Sequence, residues 1–406
     1  MVQTALVHGG DTSRRRFLQG VGLSSLAVGA AACTSGLSRG LAPRADSLAA
    51  ATILPFDAAH QAGIATPAQT HTHVAAFHVS TRGRPAFRRL VDDWTAAARV
   101  LARGAEIADD NGEAVGLGAA RLTVTFGLGP AVFGRRLALG LRRPPGLLDL
   151  PPFPTDRLEE RWSGGDVLVQ ACADDPQVAF HALRTLQHVA GDRARVHWVQ
   201  DGFLSRPAGG TTPRNLMGFR DGTANIRPDD RAALDRHVWV GAEGPSWLRG
   251  GSYLVVRRIR IDLTHWDRSE LSEQQHAIGR RKADGAPLGE RAEDDPLQLT
   301  ARTTAGTLAI PRHSHVRLAA PQENDGARLL RRGYNYTSAT AAGQFDAGLL
   351  FLAYQRDIAR QFVPIQRRLA ASDALNEYIS HVGSAVFVVP PGTRAGEPWA
   401  RALLDG

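Results

Sequence analysis

Residues 166–190 read DVLVQACADDPQVAFHALRTLQHVA. The first eight form a mainly apolar run that suits a strand. Asp174-Asp175-Pro176 then supplies an acidic cap and a proline whose fixed φ suits the first turn of a helix. The helix runs to about Ala190. Upstream, Val74–Val79 reads as a strand and Arg121–Phe126 as another. Between them, Phe87 to Ala102 places Phe87, Leu90, Trp94, Ala97, Val100 and Leu101 at helical spacing. Downstream, Arg195–Val199 closes the set. The order is βαββαβ, the split ferredoxin-like unit.

The second half repeats it. Tyr253–Leu263 is a strand, Arg268–Arg280 a helix, and Leu329–Thr337 and Leu349–Gln355 are strands. Pro364 to Ile379 reads as a helix and Ala385–Val389 as the last strand. The expected fold is α+β, with two ferredoxin-like domains, each an antiparallel sheet covered by helices. Between Arg281 and Ala327 lies a long insertion without an amphipathic helix. Insertions of this kind are usually functional or disordered, so the chemistry is sought there.

Length and composition agree with two globular domains: 406 residues, 43% apolar and 22% charged. Two cysteines, Cys33 and Cys172, exclude a disulfide framework and any four-cysteine metal site. Cys172, in its apolar strand, reads as buried and inert. The net charge of +8 rests almost wholly on arginine, since Lys282 is the only lysine. No dense basic stretch alternates with aromatics, so nucleic acid is not an expected partner.

The N-terminus reads as an address. Thr12-Ser13-Arg14-Arg15-Arg16-Phe17-Leu18-Gln19 precedes an uncharged run from Gly20 to Ala32, as in a twin-arginine export signal. The run is shorter than the roughly 20 residues a bilayer span needs. Removing residues 1–32 deletes three arginines and Asp11 and lowers the charge to +6. Cys33 stands where a lipoprotein signal places its modified cysteine, but Ala30 replaces the preferred leucine, which favours simple cleavage. The expected organisation is therefore a signal at 1–32, a linker at 33–65, and ferredoxin-like domains at 66–210 and 211–406. An extracytoplasmic destination follows from the signal.

Three segments can carry chemistry. Gly218-Phe219-Arg220-Asp221-Gly222-Thr223-Ala224-Asn225 is either a plain Asp-Gly turn or a carboxylate on a tight loop, whose glycines let backbone approach a flat ligand. Pro311-Arg312-His313-Ser314-His315-Val316-Arg317-Leu318 holds a histidine without the cysteine or acidic partners of a zinc site. A haem iron needs only one such imidazole, because the porphyrin supplies the other four nitrogens. Leu329-Leu330-Arg331-Arg332-Gly333-Tyr334-Asn335-Tyr336 is either a strand with exposed arginines or the source of a permanent cation over the iron. A metal site from His71, His73 and His78 is disfavoured, because His78 has the opposite strand parity.

Together these segments resemble the dye-decolorizing peroxidases, with closest likeness to the exported, deferrochelatase-like branch. The resemblance takes in Gly63-Ile64-Ala65-Thr66-Pro67, Gly250-Gly251-Ser252-Tyr253, Gly279-Arg280, Gly285–Gly289, Asp346-Ala347-Gly348-Leu349-Leu350-Phe351 and Gln361-Phe362-Val363-Pro364-Ile365-Gln366. It thus spans nearly the whole chain after the signal.

The resemblance implies haem b in the second domain, with His315 as proximal iron ligand. It implies Asp221 as distal acid–base residue and Arg331 as distal arginine. Gly222, Thr223 and Ala224 are expected along the haem edge, and Arg280 at a propionate. Asp346 is the candidate partner for the far nitrogen of His315. His78 and His313 stand where the family often has acidic residues; neither change removes a catalytic group. The implied co-reactants are hydrogen peroxide and an organic electron donor, with Tyr334, Tyr336 and Tyr354 as candidate electron relays. The rival expectation is a protein that releases iron from haem and works with iron-uptake partners. Oligomeric state is open, with a homo-oligomer among the options.

A carboxylate base predicts an acid-shifted rate, because an ordinary aspartate titrates near about 3.9 and a histidine near about 6.5. Stopped-flow rates with peroxide from mildly acid to neutral solution check it. A rate that collapses below neutrality while haem stays bound counts against Asp221.

Overall fold

The computed structural model describes residues 52–405, apart from 206, 208–211 and 340–344. The signal segment, Cys33 and the linker up to residue 51 lie outside the described residues. Strands β1 (His71–Val79), β2 (Thr123–Leu128), β3 (Val167–Ala173) and β4 (Ala194–Phe203) form an antiparallel sheet in the order β4-β1-β3-β2. Strands β5 (Ser252–Ile261), β6 (Leu330–Ala339), β7 (Phe345–Gln355) and β8 (Ile379–Val389) form a second in the order β8-β5-β7-β6. The two orders are equivalent, so both halves are ferredoxin-like.

The two sheets are not separate layers. β2 meets β8 at Leu128 and Val388, β4 meets β6 at Phe203 and Asn335, and the eight strands close into one barrel. Closure buries the inner face of the strands, and the covering helices bury the outer face of β2 and β3 as well. Inward residues include Val74, Ala76, Leu168, Cys172, Leu254, Tyr334, Tyr354 and Phe387. Outward ones, such as Phe77, Val169 and Val255, join a second core with the covering helices. Burial on both faces explains why β3 is a continuous apolar run rather than an alternating one.

Helix α1 (Arg84–Leu101) packs Leu90, Val91 and Trp94 on the first sheet. Helix α2 (Pro176–Ala190) begins as its sequence suggests: the Asp175 carboxylate accepts from the Gln177 and Val178 amides at 2.8 and 3.1 Å. Helix α3 (Arg231–His237) precedes β5. The helix expected over 268–280 is shorter, α4 (Leu271–Ile278), because Gly279 takes φ +94° and ends it. The insertion carries only the single turn α5 (His315–Leu318) and a 3-10 turn at Pro321–Glu323. Helix α6 (Phe362–Ser372) is shorter at its C-terminal end than the expected helix over 364–379, stopping at Asp373. Several strands extend beyond their expected ends, most of all β4 to Phe203, β7 back to Phe345 and β8 back to Ile379.

Phe387 lies at the β2–β8 seam. Its Cβ would sit 3.0 Å from a Cβ at Gly127, and its ring Cζ would lie 3.8 Å from a Cβ at Gly165. Phe387→Ala is expected to cost about 3–5 kcal/mol of unfolding free energy in urea. A loss within about 0.5 kcal/mol, the range of ordinary surface changes, would contradict closure through this side chain.

Candidate functional site

His315 opens α5, whose turn is pinned by the buried Arg317. That guanidinium donates to the carbonyls of Ile310 and Pro311 at 2.9–3.2 Å. The imidazole Nδ1 lies 2.6 Å from Oδ2 of Asp373, at the end of α6. Asp373 is fixed in turn, because its other oxygen accepts from the Leu375 amide at 2.9 Å. The carboxylate holds Nδ1 as an N–H donor and leaves the lone pair on Nε2. Burial works against a proton on His315, but the charge and hydrogen bond of Asp373 outweigh it, so the proton affinity is raised. Arg331 lowers that affinity and Asp221 raises it, which places both within electrostatic reach of the imidazole.

Asp221 sits on a turn closed by an Arg214–Arg220 bridge, with its own amide donating to the Pro213 carbonyl at 2.9 Å. Gly222 follows at φ +134°, a conformation that favours glycine. Arg331 Nη1 donates to Asp221 Oδ1 at 2.8 Å. The neighbours Arg331 and Arg332 project to opposite faces of β6. Arg332 enters the barrel and donates to Gln69 and Tyr334, while Arg331 faces outward to Asp221. A cavity of about 150 Å³ adjoins the pair, lined in part by Asp221, Gly222, Arg331, Gly333 and Leu349.

Arg280 is buried, and its Nη1 donates to the Gly285 and Glu293 carbonyls at 2.7 and 2.9 Å. Burial weakens its hold on its proton, Asp294 strengthens it, and Arg331 weakens it again, so Arg280 and Arg331 lie within electrostatic reach of each other. Thr223 donates to Glu293 at 2.7 Å, and Ala224 is exposed at the loop tip. The structure thus gathers Asp221, Gly222, Arg280, His315 and Arg331, and turns Thr223 and Ala224 to the rim.

One expectation is overturned. Asp346 does not meet His315; it pairs with Arg258 at 2.7 Å and Arg260 at 2.9 Å. The β6–β7 register sets it opposite Ser338, at the strand's start and beside the β5 arginines. Asp373 takes the role instead; the sequence reading places it inside the helix over 364–379, and it is freed for His315 because that helix ends at Ser372. Leu349 and Phe351 were quoted without a role. They lie directly opposite Asn335 and Gly333, on the same face as Arg331. His381 was missed altogether. It is buried, its Nδ1 has no hydrogen-bond partner, and burial with the charges of Arg257 and His315 pushes it down to about 3.

Tyr334, Tyr336 and Tyr354 are fully buried. Tyr334 accepts from Arg332 at 3.0 Å, Tyr354 donates to Gln170 at 2.9 Å, and Tyr336 packs its ring on the Arg258 guanidinium. Cys172 is free and buried, 3.2 Å from the Thr72 hydroxyl.

The N-terminal family model of the Dyp-type peroxidases matches residues 61–204 and the C-terminal model residues 212–394. The dye-decolorizing peroxidase of Thermobifida fusca is 41% identical over 423 residues, covering 97% of this chain and 98% of that protein. The deferrochelatase of Escherichia coli O157:H7 is 35% identical over 413 residues, covering 97% of each. Ferric DtpA from Streptomyces lividans superposes with a TM-score of 0.86 at 41% identity, over 90% of this chain and 100% of that one. The family models, the near full-length relatives and the shared architecture agree: the chain belongs to the Dyp-type peroxidase family.

Proposed function

We propose that this chain is a haem-dependent peroxidase that reduces hydrogen peroxide and takes single electrons from dyes or phenolic reductants. The observation that carries the reading is the company these groups keep. An imidazole oriented by a carboxylate lies within electrostatic reach of an Asp221–Arg331 pair whose own hydrogen bond is 2.8 Å.

The residues fit haem b. One lone-pair nitrogen suffices for an iron whose other donors come from the porphyrin. Among the described residues, no three His, Cys, Asp or Glu side chains gather to hold a bare metal ion. Leu349 and Phe351 are half-buried apolar surface, and a Cβ at Gly333 would crowd Leu349 at 3.3 Å. Arg280 is the buried cation suited to a propionate, with Gly222, Thr223 and Ala224 along the edge.

Bound haem supplies the iron at which peroxide is reduced and the route by which single electrons return. Asp221 takes the proton from one peroxide oxygen and delivers it to the other, which departs as water. Arg331 donates to the negative charge that develops in that cleavage, and its guanidinium stays charged throughout. The same guanidinium occupies Oδ1 of Asp221, which leaves Oδ2 to carry the proton. Asp373 keeps the His315 lone pair directed at the iron.

A second reading, release of iron from haem, is favoured by the deferrochelatases at 35–36% identity. It uses the same residues and adds iron-uptake partners. Residues 1–32 are proposed as a twin-arginine signal that directs the chain out of the cytoplasm, on the strength of Arg14-Arg15-Arg16-Phe17-Leu18.

Absorption spectra of haem-supplied protein before and after one equivalent of peroxide test the proposal. His315→Ala is expected to lose the Soret band, and Asp221→Asn to keep it while its peroxide-induced shift slows. A Soret band indifferent to peroxide, with free protoporphyrin among the products, would replace catalysis by iron release. Asp373→Asn is expected to weaken haem retention roughly 10- to 100-fold, as is usual for the partner of a ligating histidine. Retention equal to wild type in a competition with apomyoglobin would remove Asp373 from that role.

A further inference from the structure

Strand β6 is paired along its length with β7, and among the described residues it meets β4 through one residue pair, Phe203 and Asn335. Among those residues no strand lies beside the peptide of Arg331 on this edge. Its amide nonetheless donates to Asn225 Oδ1 at 2.9 Å, and its carbonyl accepts from Asn225 Nδ2 at 2.7 Å. One side-chain amide thus makes the two bonds that a neighbouring strand would have made. Asn225 belongs to the loop that carries Asp221, and its own amide donates to the Gly222 carbonyl at 2.9 Å. The loop grips Arg331 twice, through the backbone at Asn225 and through the guanidinium at Asp221.

We infer that Asn225 is a positioning residue that sets the distance between Asp221 and Arg331 and so the reactivity of the site toward peroxide. The inference rests on the peroxidase reading of that pair. The side-chain amide of Asn225 is committed to the Arg331 peptide through both its oxygen and its nitrogen. Its effect runs through the Arg331 backbone, whose displacement swings a guanidinium at the end of a long side chain. Asn335 adds a second clip between the same segments, donating to the Arg214 carbonyl at 3.1 Å, but it does not touch Arg331. Proximity effects of this kind are steep, since a misplacement of about 1 Å can cost roughly 100-fold in rate.

The test compares the haem-loaded full chain with Asn225→Leu and Asn225→Asp. Two readouts are taken: the peroxide rate across pH, and the affinity of the resting protein for fluoride, a small anion that the Arg331 guanidinium would hold. Asn225→Leu is expected to slow the peroxide reaction roughly 10- to 100-fold and to weaken fluoride binding, with haem content unchanged. The introduced carboxyl in Asn225→Asp has the shape of the amide. Ionised, it lacks the donor for the Arg331 carbonyl; protonated, it regains one. The groups facing it are Arg331 and Arg328, which favour the ionised form, and Asp221, which opposes it. The ratio of variant to wild-type rate is therefore expected to rise as pH falls. A Leu variant that matches wild type in both readouts overturns the inference. So does an Asp variant whose deficit is independent of pH, and this second variant decides the matter if the first fails to fold. A wild-type protein inert to peroxide would defeat the peroxidase reading instead, while the fluoride series would still judge Asn225.

Discussion

Barrel closure through two thin seams is the constraint on which the rest of this molecule depends. Each sheet is complete in itself, yet each leaves one face and two edges that would meet water if it stood alone. A single residue pair at each seam, Leu128 with Val388 and Phe203 with Asn335, turns those inner faces toward each other. The thinness of the β4–β6 seam has a chemical consequence. Among the described residues it leaves a stretch of β6 edge without a neighbouring strand, and the loop bearing Asp221 docks on that stretch through Asn225.

Charge is distributed by the same geometry. Arg332 lies inside the barrel, donating to the Thr66 carbonyl, Gln69 and Tyr334, with no carboxylate among its hydrogen-bond partners in the described residues. A planar fork of donors can be satisfied this way, whereas a lysine ammonium would need more compact and more strongly polar company. Arg257 and Arg258 on β5 are likewise buried, paired to Asp156 and Asp346. The near-absence of lysine in the sequence therefore matches a core that accepts guanidinium groups at several depths. Burial and the coupling to Cys172 push the Tyr334 phenol above its ordinary range, against the pull of Arg332, so it stays neutral.

Much of this could be read from the sequence, and the limits have physical reasons. Local signals sufficed where a short stretch determines its own structure: the Asp175–Pro176 helix start, the helical spacing from Phe87, and the glycine-flanked Asp221 turn. The doubled strand order also followed from patterning. Closure did not, because a two-residue seam leaves no periodic trace, and the buried β3 run fits a barrel or a covered sheet equally well. The partner of His315 failed for a related reason. Asp346 and Asp373 are the same residue type in the sequence, and only the β6–β7 register and the early end of α6 decide between them. The opposite orientation of Arg331 and Arg332 follows from strand parity alone, so that choice was accessible.

Those seams also impose an order of events on synthesis. Leu128 is made long before Val388, and at about 5–20 residues per second the gap is roughly 10–50 s. Until Asn335 has been made the first sheet carries two bare strand edges, and its β2 edge waits for Val388, beside an inner face that includes Val74, Leu168 and Trp198. Nascent chains in that state are exposed to edge-to-edge association. The half of the molecule without the functional loop is thus the half most in need of a chaperone.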